Sequence, residues 1–303
     1  MMLHNEKDLF ETLVIEASEK LGIVPVIIEK DYYVTLFLRE IVNRQPNIIF
    51  KGGTSLSKCY HLINRFSEDI DLNIESENKP TEGQRRRLIT DIKEIIDDYD
   101  FVLRNPDDIR SRRDFNRFEV DVHSLFSSEY IKHDLIVETS VFIRSYPNVK
   151  MSASSYIYDY LKSIGREDII SEYNLEPFEL NVQTVERTFV DKIFAICDYY
   201  LGGKVDEHSR HLYDLYKMMD IVKVDNSLSE LFSKVGEERK LHKTCLSAQD
   251  GIDIKTCFQE IIDKDIYKKD YENITFPLIF DDVKYETVKN NLISIVKSKL
   301  FKE

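Results

Sequence analysis

Residues 47–75, NIIFKGGTSLSKCYHLINRFSEDIDLNIE, constrain the chain more than any other stretch. NIIF is a short apolar strand running into Gly52 and Gly53, which allow a tight turn that a side chain would obstruct. TSLSKCYHLI then fits a helix with Leu56, Cys59, Tyr60 and Ile63 facing inward. In DIDLNI the alternation is strict: Asp69, Asp71 and Asn73 face one way, Ile70, Leu72 and Ile74 the other. The expectation is a half-buried strand with a polar working face. Alternate residues on a strand lie roughly 6.5–7 Å apart at Cα. The carboxylates of Asp69 and Asp71 can therefore converge on hard cations about 4 Å apart, as two-metal phosphoryl chemistry requires. Taken alone, an Asp-x-Asp also suits the exposed face of an edge strand; the glycine turn upstream weighs against that. Backbone N–H groups at a helix start, released by Gly52 and Gly53, form an anion site to which Thr54, Ser55 and Ser57 add hydroxyl donors. An ordinary glycine loop with a Ser or Thr cap is the other explanation.

The 303 residues suffice for one large domain or two ordinary ones. A formal charge of -13 argues against indiscriminate coating of nucleic acid, while leaving a local basic patch open. Cys59, Cys197, Cys245 and Cys257 form no Cys-x-x-Cys pair and read as reduced thiols. The lack of an apolar run near about 18 residues and of a signal-peptide pattern in MMLHNEKDLFETLV makes the cytoplasm the expected address. Residues 7–43 read as helical, with Tyr33, Leu36, Phe37 and Ile41 near one stripe. RRRLITDIKEIIDDY is an amphipathic helix, FEVDVHSLF and DLIVETSVFI are two further strands, and the pattern from about residue 150 is mainly helical. The fold class expected is α/β (α+β).

KGGTSLSK followed by RFSEDIDL resembles the signature of the nucleotidyltransferase-like toxins of AbiEii type, the toxin halves of bacterial abortive-infection and type IV toxin–antitoxin systems. EKDYYVT, LIVETS with Arg144 after it, TFVDKIFAI and SRHLYDLYKM match family blocks in the same order, from about residue 29 to 220. The resemblance implies a polymerase-β-like nucleotidyltransferase fold with a small mixed sheet over residues 1–148, and a helical C-terminal domain over 149–303 that contributes to the active site. It implies a third carboxylate, matched by Glu138. Independently, a carboxylate within so apolar a strand is costly unless paired, for instance with Arg144, or bound to a metal. Lys192 matches the family's triphosphate-binding lysine; by helical spacing it falls on the flank of the stripe Val185, Phe189, Ile193, Ile196 and Tyr200, where little packing depends on it. Asp214 matches the aspartate that completes the site, although an exposed pair with Arg210 at i−4 explains it equally. Asp31 and Arg65 occupy motif positions as supports for the fold, and Lys58 as a candidate phosphate contact.

The activity implied is transfer of a nucleoside monophosphate from a nucleoside triphosphate to an acceptor hydroxyl, with pyrophosphate leaving. Asp69, Asp71 and Glu138 would hold magnesium, or manganese in its place. Gly52, Gly53, Thr54, Ser55, Ser57, Lys58 and Lys192 would hold the nucleotide. The acceptor implied is the 3′ end of tRNA, whose modification blocks translation as a phage defence, with a cognate antitoxin encoded nearby as partner. RSRRDFNR gathers Arg110, Arg112, Arg113 and Arg117, with Arg85 to Arg87 in a second cluster; such charge suits an RNA backbone, or a solvated face. A protein-modifying nucleotidyltransferase acting on Ser, Thr or Tyr, and a non-catalytic nucleotide-binding module, are the rival readings.

Overall fold

The computed structural model describes residues 2–65, 67, 69–75, 80–112, 114–128 and 134–301, with only the backbone of 110–112. Its chain divides into two units, one of residues 1–59 and 67–182, the other of 60–66 and 183–303.

The first unit opens with helices α1 (Lys7–Leu21) and α2 (Pro25–Arg44). The single helix expected over 7–43 is interrupted because Gly22 caps α1 in the left-handed region (φ +69°) and Pro25 sits at the start of α2. Strand β1 (Ile48–Lys51) leads directly into α3 (Gly52–Lys58), and β2 (Ile70–Ile74) follows. Helix α3 stops short of the expected HLI segment, and His61 adopts φ +52°. Next come α4 (Glu82–Asp98), β3 (Val102–Leu103), β4 (Arg110–Arg112), β5 (Phe115–Asp121), β6 (Leu135–Ser140), β7 (Asn148–Ala153), α5 (Tyr156–Ser163), α6 (Glu167–Glu172) and β8 (Phe178–Gln183). A reciprocal capping box between Thr81 and Gln84 fixes the start of α4.

These strands form one mixed sheet in the order β3-β5-β6-β2-β1-β8-β7, with β4 beside β5. Strand β1 runs antiparallel to β2 and parallel to β8, and β2 runs parallel to β6. Ile70 and Leu72 of β2, Val137 of β6 and Phe50 of β1 are fully buried, and α2 packs against α4 and β6 with Phe37, Leu38 and Ile41 inward. Two strands, β7 and β8, therefore lie in the stretch from about residue 148 onward that was expected to be mainly helical. Strand β8 pairs with β1, and the first unit runs on through residue 182.

His4 sits among Tyr32, Tyr33, Tyr99 and Phe101, with ring centroids 5.5–6.2 Å away and its Nδ1 2.9 Å from the Tyr32 hydroxyl. Burial lowers its pKa from 6.5 to about 4. The folded state then binds a proton less readily than the unfolded chain, so His4 favours folding above pH 6.5 and that contribution is lost as pH falls toward 4. His4→Phe is expected to flatten the acid side of the melting-temperature profile between those values; an unchanged profile would contradict a titrating His4.

The second unit contains α7 (Val185–Leu201), α8 (Arg210–Met218), α9 (Asn226–Lys240), α10 (Ile254–Asp263), α11 (Lys268–Asp270), which continues into a π turn, and α12 (Tyr285–Lys297). Helix α8 packs on α7 and α12 through Leu212, Leu215 and Met218, all fully buried. The segment 60–66 is pinned in this unit. The Tyr60 hydroxyl donates to the Gln183 carbonyl (3.0 Å), the Asn64 N–H to the Tyr213 hydroxyl (3.0 Å), and the Phe280 N–H to the Asn64 carbonyl (2.8 Å). Among the described residues no helix is long and apolar enough to cross a membrane.

Candidate active site

In the first unit the glycine turn and the Asp-x-Asp strand meet. Gly52 has φ +77°, and a Cβ at that position would lie 1.9 Å from Asp71 Oδ2. Gly52 is thus required both by backbone conformation and by the carboxylate packed against it. The antiparallel register pairs Lys51 with Asp71, the parallel register pairs Asp71 with Glu138, and β5 pairs Arg117 with Glu138. Lys51, Asp71, Glu138 and Arg117 therefore form a charged row across four strands, with Asp69 just ahead of β2. Lys51 was not singled out from sequence; its position, one residue before the glycines and opposite an aspartate, was the available signal.

Glu138 is held by an arginine, but by Arg117 (NH1 to Oε1, 2.6 Å) rather than Arg144. Burial raises its pKa, and the negative charge of Asp69 adds to that rise while Arg117 and Lys51 oppose it. Among the described residues no three His, Cys, Asp or Glu side chains are grouped to hold an ion, and the Glu138 carboxylate is engaged by Arg117. Asp69 and Asp71 remain an all-oxygen donor pair of the kind hard divalent cations prefer, and the like-charge pressure between Asp69 and Glu138 suits a cation there. Asn73 departs from the expected working face. It is buried at 1% exposure, and its amide donates to the Ile143 carbonyl and the Ser145 hydroxyl, both at 2.8 Å. The polar face of β2 is confined to its first turn of the pleat.

The hydroxyls after the glycines are mostly turned to the protein. Ser55 donates to the Gly52 carbonyl (2.8 Å), Ser57 to the Thr54 carbonyl (3.0 Å), and Thr54 shares a hydrogen bond with Ser67 (3.0 Å). Lys58, expected as a candidate phosphate contact, is engaged by the protein itself. Its buried ammonium donates to Asp31 (2.6 Å), Thr35 (2.7 Å) and the Ser154 carbonyl (2.9 Å), which uses all three hydrogens. Asp31 also accepts from the Tyr156 N–H (2.8 Å), so it ties α2 to the start of α5, as a support for the fold.

The second unit brings Arg65, Lys192 and Asp214 together. Arg65 grips Asp214 with both arms (Nε to Oδ1 2.7 Å, NH2 to Oδ2 2.8 Å), and Lys192 Nζ lies 2.6 Å from Oδ2. Asp214 is fully buried and Lys192 nearly so, which replaces both the exposed Arg210 pair and the flanking lysine of the sequence reading. Burial acts to raise the Asp214 pKa, but Arg65 and Lys192 outweigh it and hold the carboxyl well below the usual carboxylate range. Of the arginine clusters, Arg117 is paired with Glu138 and Glu119, and Arg85, Arg86 and Arg87 with Asp114, Glu82 and Asp91. Arg113 lies outside the described residues, and Arg110 and Arg112 are described only as backbone in β4.

A charged carboxylate row beside a glycine turn on a mixed sheet is an arrangement for handling phosphates. The fold matches the solved structure of MenT4, a nucleotidyltransferase toxin from Mycobacterium tuberculosis H37Rv, with a TM-score of 0.57 at 15% identity, covering 96% of this chain and 90% of that one. No curated protein sequence matches the chain. A family model described as nucleotidyl transferase AbiEii toxin, type IV toxin–antitoxin system, matches residues 36–291. The chain belongs to the AbiEii family of nucleotidyltransferase toxins. With that family come a nucleoside triphosphate as substrate and a cognate antitoxin as partner.

Proposed function

We propose that this toxin transfers a nucleoside monophosphate from a nucleoside triphosphate to the 3′ end of tRNA, with magnesium at Asp69 and Asp71. The reading is carried by one observation, the approach of the Asp71 carboxylate to the side-chain-free backbone of Gly52, which joins a metal-binding group to a phosphate-binding turn. A divalent cation held by the two aspartates would neutralise the triphosphate and favour attack at its α-phosphorus. Backbone N–H groups at Gly52 and Gly53 would receive the β and γ phosphates. Glu138, fixed by Arg117, would keep the field at the aspartates negative, while Lys51 limits its excess. Lys192 and Asp214 serve the same reaction in this proposal: Lys192 supplies positive charge for the departing pyrophosphate, and Asp214 holds it together with Arg65. Arg110, Arg112, Arg113 and Arg117 are the proposed path for the RNA backbone.

The test incubates purified protein with each labelled nucleoside triphosphate in turn, with magnesium or manganese, total RNA and a protein lysate. Label in the tRNA band, dependent on the metal, is expected. Label confined to protein would replace the acceptor by a Ser, Thr or Tyr hydroxyl.

A further inference from the structure

Seven residues after Lys192 on α7 stands Tyr199, roughly 10 Å farther along the same face of the helix. His208 stacks on it, with ring centroids 3.4 Å apart and planes 8° from parallel. His211 is parallel to both, at 9° and 2°, with centroids 5.8 Å from Tyr199 and 6.2 Å from His208. Those distances put His211 beside the stacked pair rather than over it. The three rings make a stepped plate of half-buried residues. The plate begins at the lysine, since His211 Nδ1 lies 3.4 Å from Lys192 Nζ. Aromatic rings in the buried core around His4 meet mostly tilted or edge-on, which fills volume. Parallel rings instead form a flat π-layer.

We propose that Tyr199, His208 and His211 form a nucleobase-stacking subsite, which receives the base of the nucleotide whose phosphates Lys192 faces. This deepens the transferase reading and rests on it for the role of Lys192. The imidazoles suit the task because they are neutral: burial lowers the pKa of His211 well below its ordinary value, with Lys192 and Arg210 adding to the effect, and burial followed by Arg210 lowers that of His208. A neutral ring stacks on a base without a charge to desolvate. Lys192 then donates to His211 Nδ1, which leaves the His211 proton on Nε2. Because every base has a π-face, stacking alone gives affinity with little choice among bases.

The experiment is calorimetric binding to the full chain, with magnesium, of each nucleoside triphosphate and of inorganic tripolyphosphate, alongside the transfer assay. Tyr199→Leu is expected to weaken nucleotide binding by about tenfold or more while tripolyphosphate binding stays at the wild-type value. Tyr199→Phe, which keeps the ring, should bind nucleotide as wild type does. His208→Leu gives a second variant should Tyr199→Leu fail to fold. If nucleotide affinity holds but the KM for the RNA acceptor rises, the base on the plate is the acceptor's and the assignment to the bound nucleotide is overturned. Equal losses for nucleotide and tripolyphosphate, or no change in nucleotide or acceptor, would overturn the subsite. Wild type that transfers while the Leu variants match it removes only the plate. Wild type that binds nucleotide without transferring, with the Leu variants weakened, removes only the transfer reading.

Discussion

Asp214→Ala is expected to lower the unfolding free energy by about 3–5 kcal/mol, because it strips the shared partner from two buried cations. Arg65 and Lys192 converge on one carboxylate that is fully enclosed, so its removal leaves two like charges facing each other with little water to reach them. Small domains have only about 5–15 kcal/mol in hand, so the loss is a large share of the total. Lys192→Met should cost less, since the two-armed Arg65–Asp214 pair survives it. The sign with pH follows from the depressed pKa of Asp214: its contribution is complete above the ordinary aspartate value of 3.8 and fades only as pH falls through the lower folded value. Urea melts of both variants at pH 7 and pH 5 check this; an Asp214→Ala midpoint equal to wild type would show that the carboxylate does not hold the pair.

Gly52→Ala is expected to reduce transfer at least about 100-fold, a loss out of proportion to its effect on stability. Holding alanine at φ +77° costs about 1 kcal/mol, which a folded chain tolerates. The new methyl, however, occupies a point 1.9 Å from Asp71 Oδ2, and backbone and carboxylate must part by well over an ångström. A misplacement of about 1 Å is enough for a 100-fold effect on a positioned group. Turnover and melting temperature measured on one preparation separate the two effects. Near wild-type turnover in a folded Gly52→Ala protein would mean that the Asp71 position seen here is not the working one.

The part of the site legible in the sequence is the part written locally. Gly52, Gly53, Asp69 and Asp71 lie on one turn and one strand, where backbone freedom and period-2 alternation apply without knowledge of the rest of the fold. Asn73 obeys the same alternation yet is buried, because residues 143–145 cover that end of β2, and the pattern of β2 alone does not reveal its cover. Arg65, Lys192 and Asp214 carry no local sign of each other; the resemblance to AbiEii toxins singled out all three, and only the folded chain shows them as one buried group. Strand β7, reading NVKMSA, escaped notice because it is an edge strand that buries little and so lacks an apolar stripe. Which arginine meets Glu138 was not legible for a related reason. Arg144 is nearer in sequence, whereas Arg117 is opposite in register.

The most direct measurement of the central claim is nucleotide transfer by Asp69→Asn and Asp71→Asn, each compared with wild type for turnover, toxicity on expression and melting temperature. Both substitutions keep the shape of the side chain and remove the charge that a cation requires. The account predicts folded proteins with wild-type melting, no labelled product at any magnesium or manganese concentration, and no toxicity. Labelled product at the wild-type rate from either folded variant would contradict the assignment of the reaction to this aspartate pair.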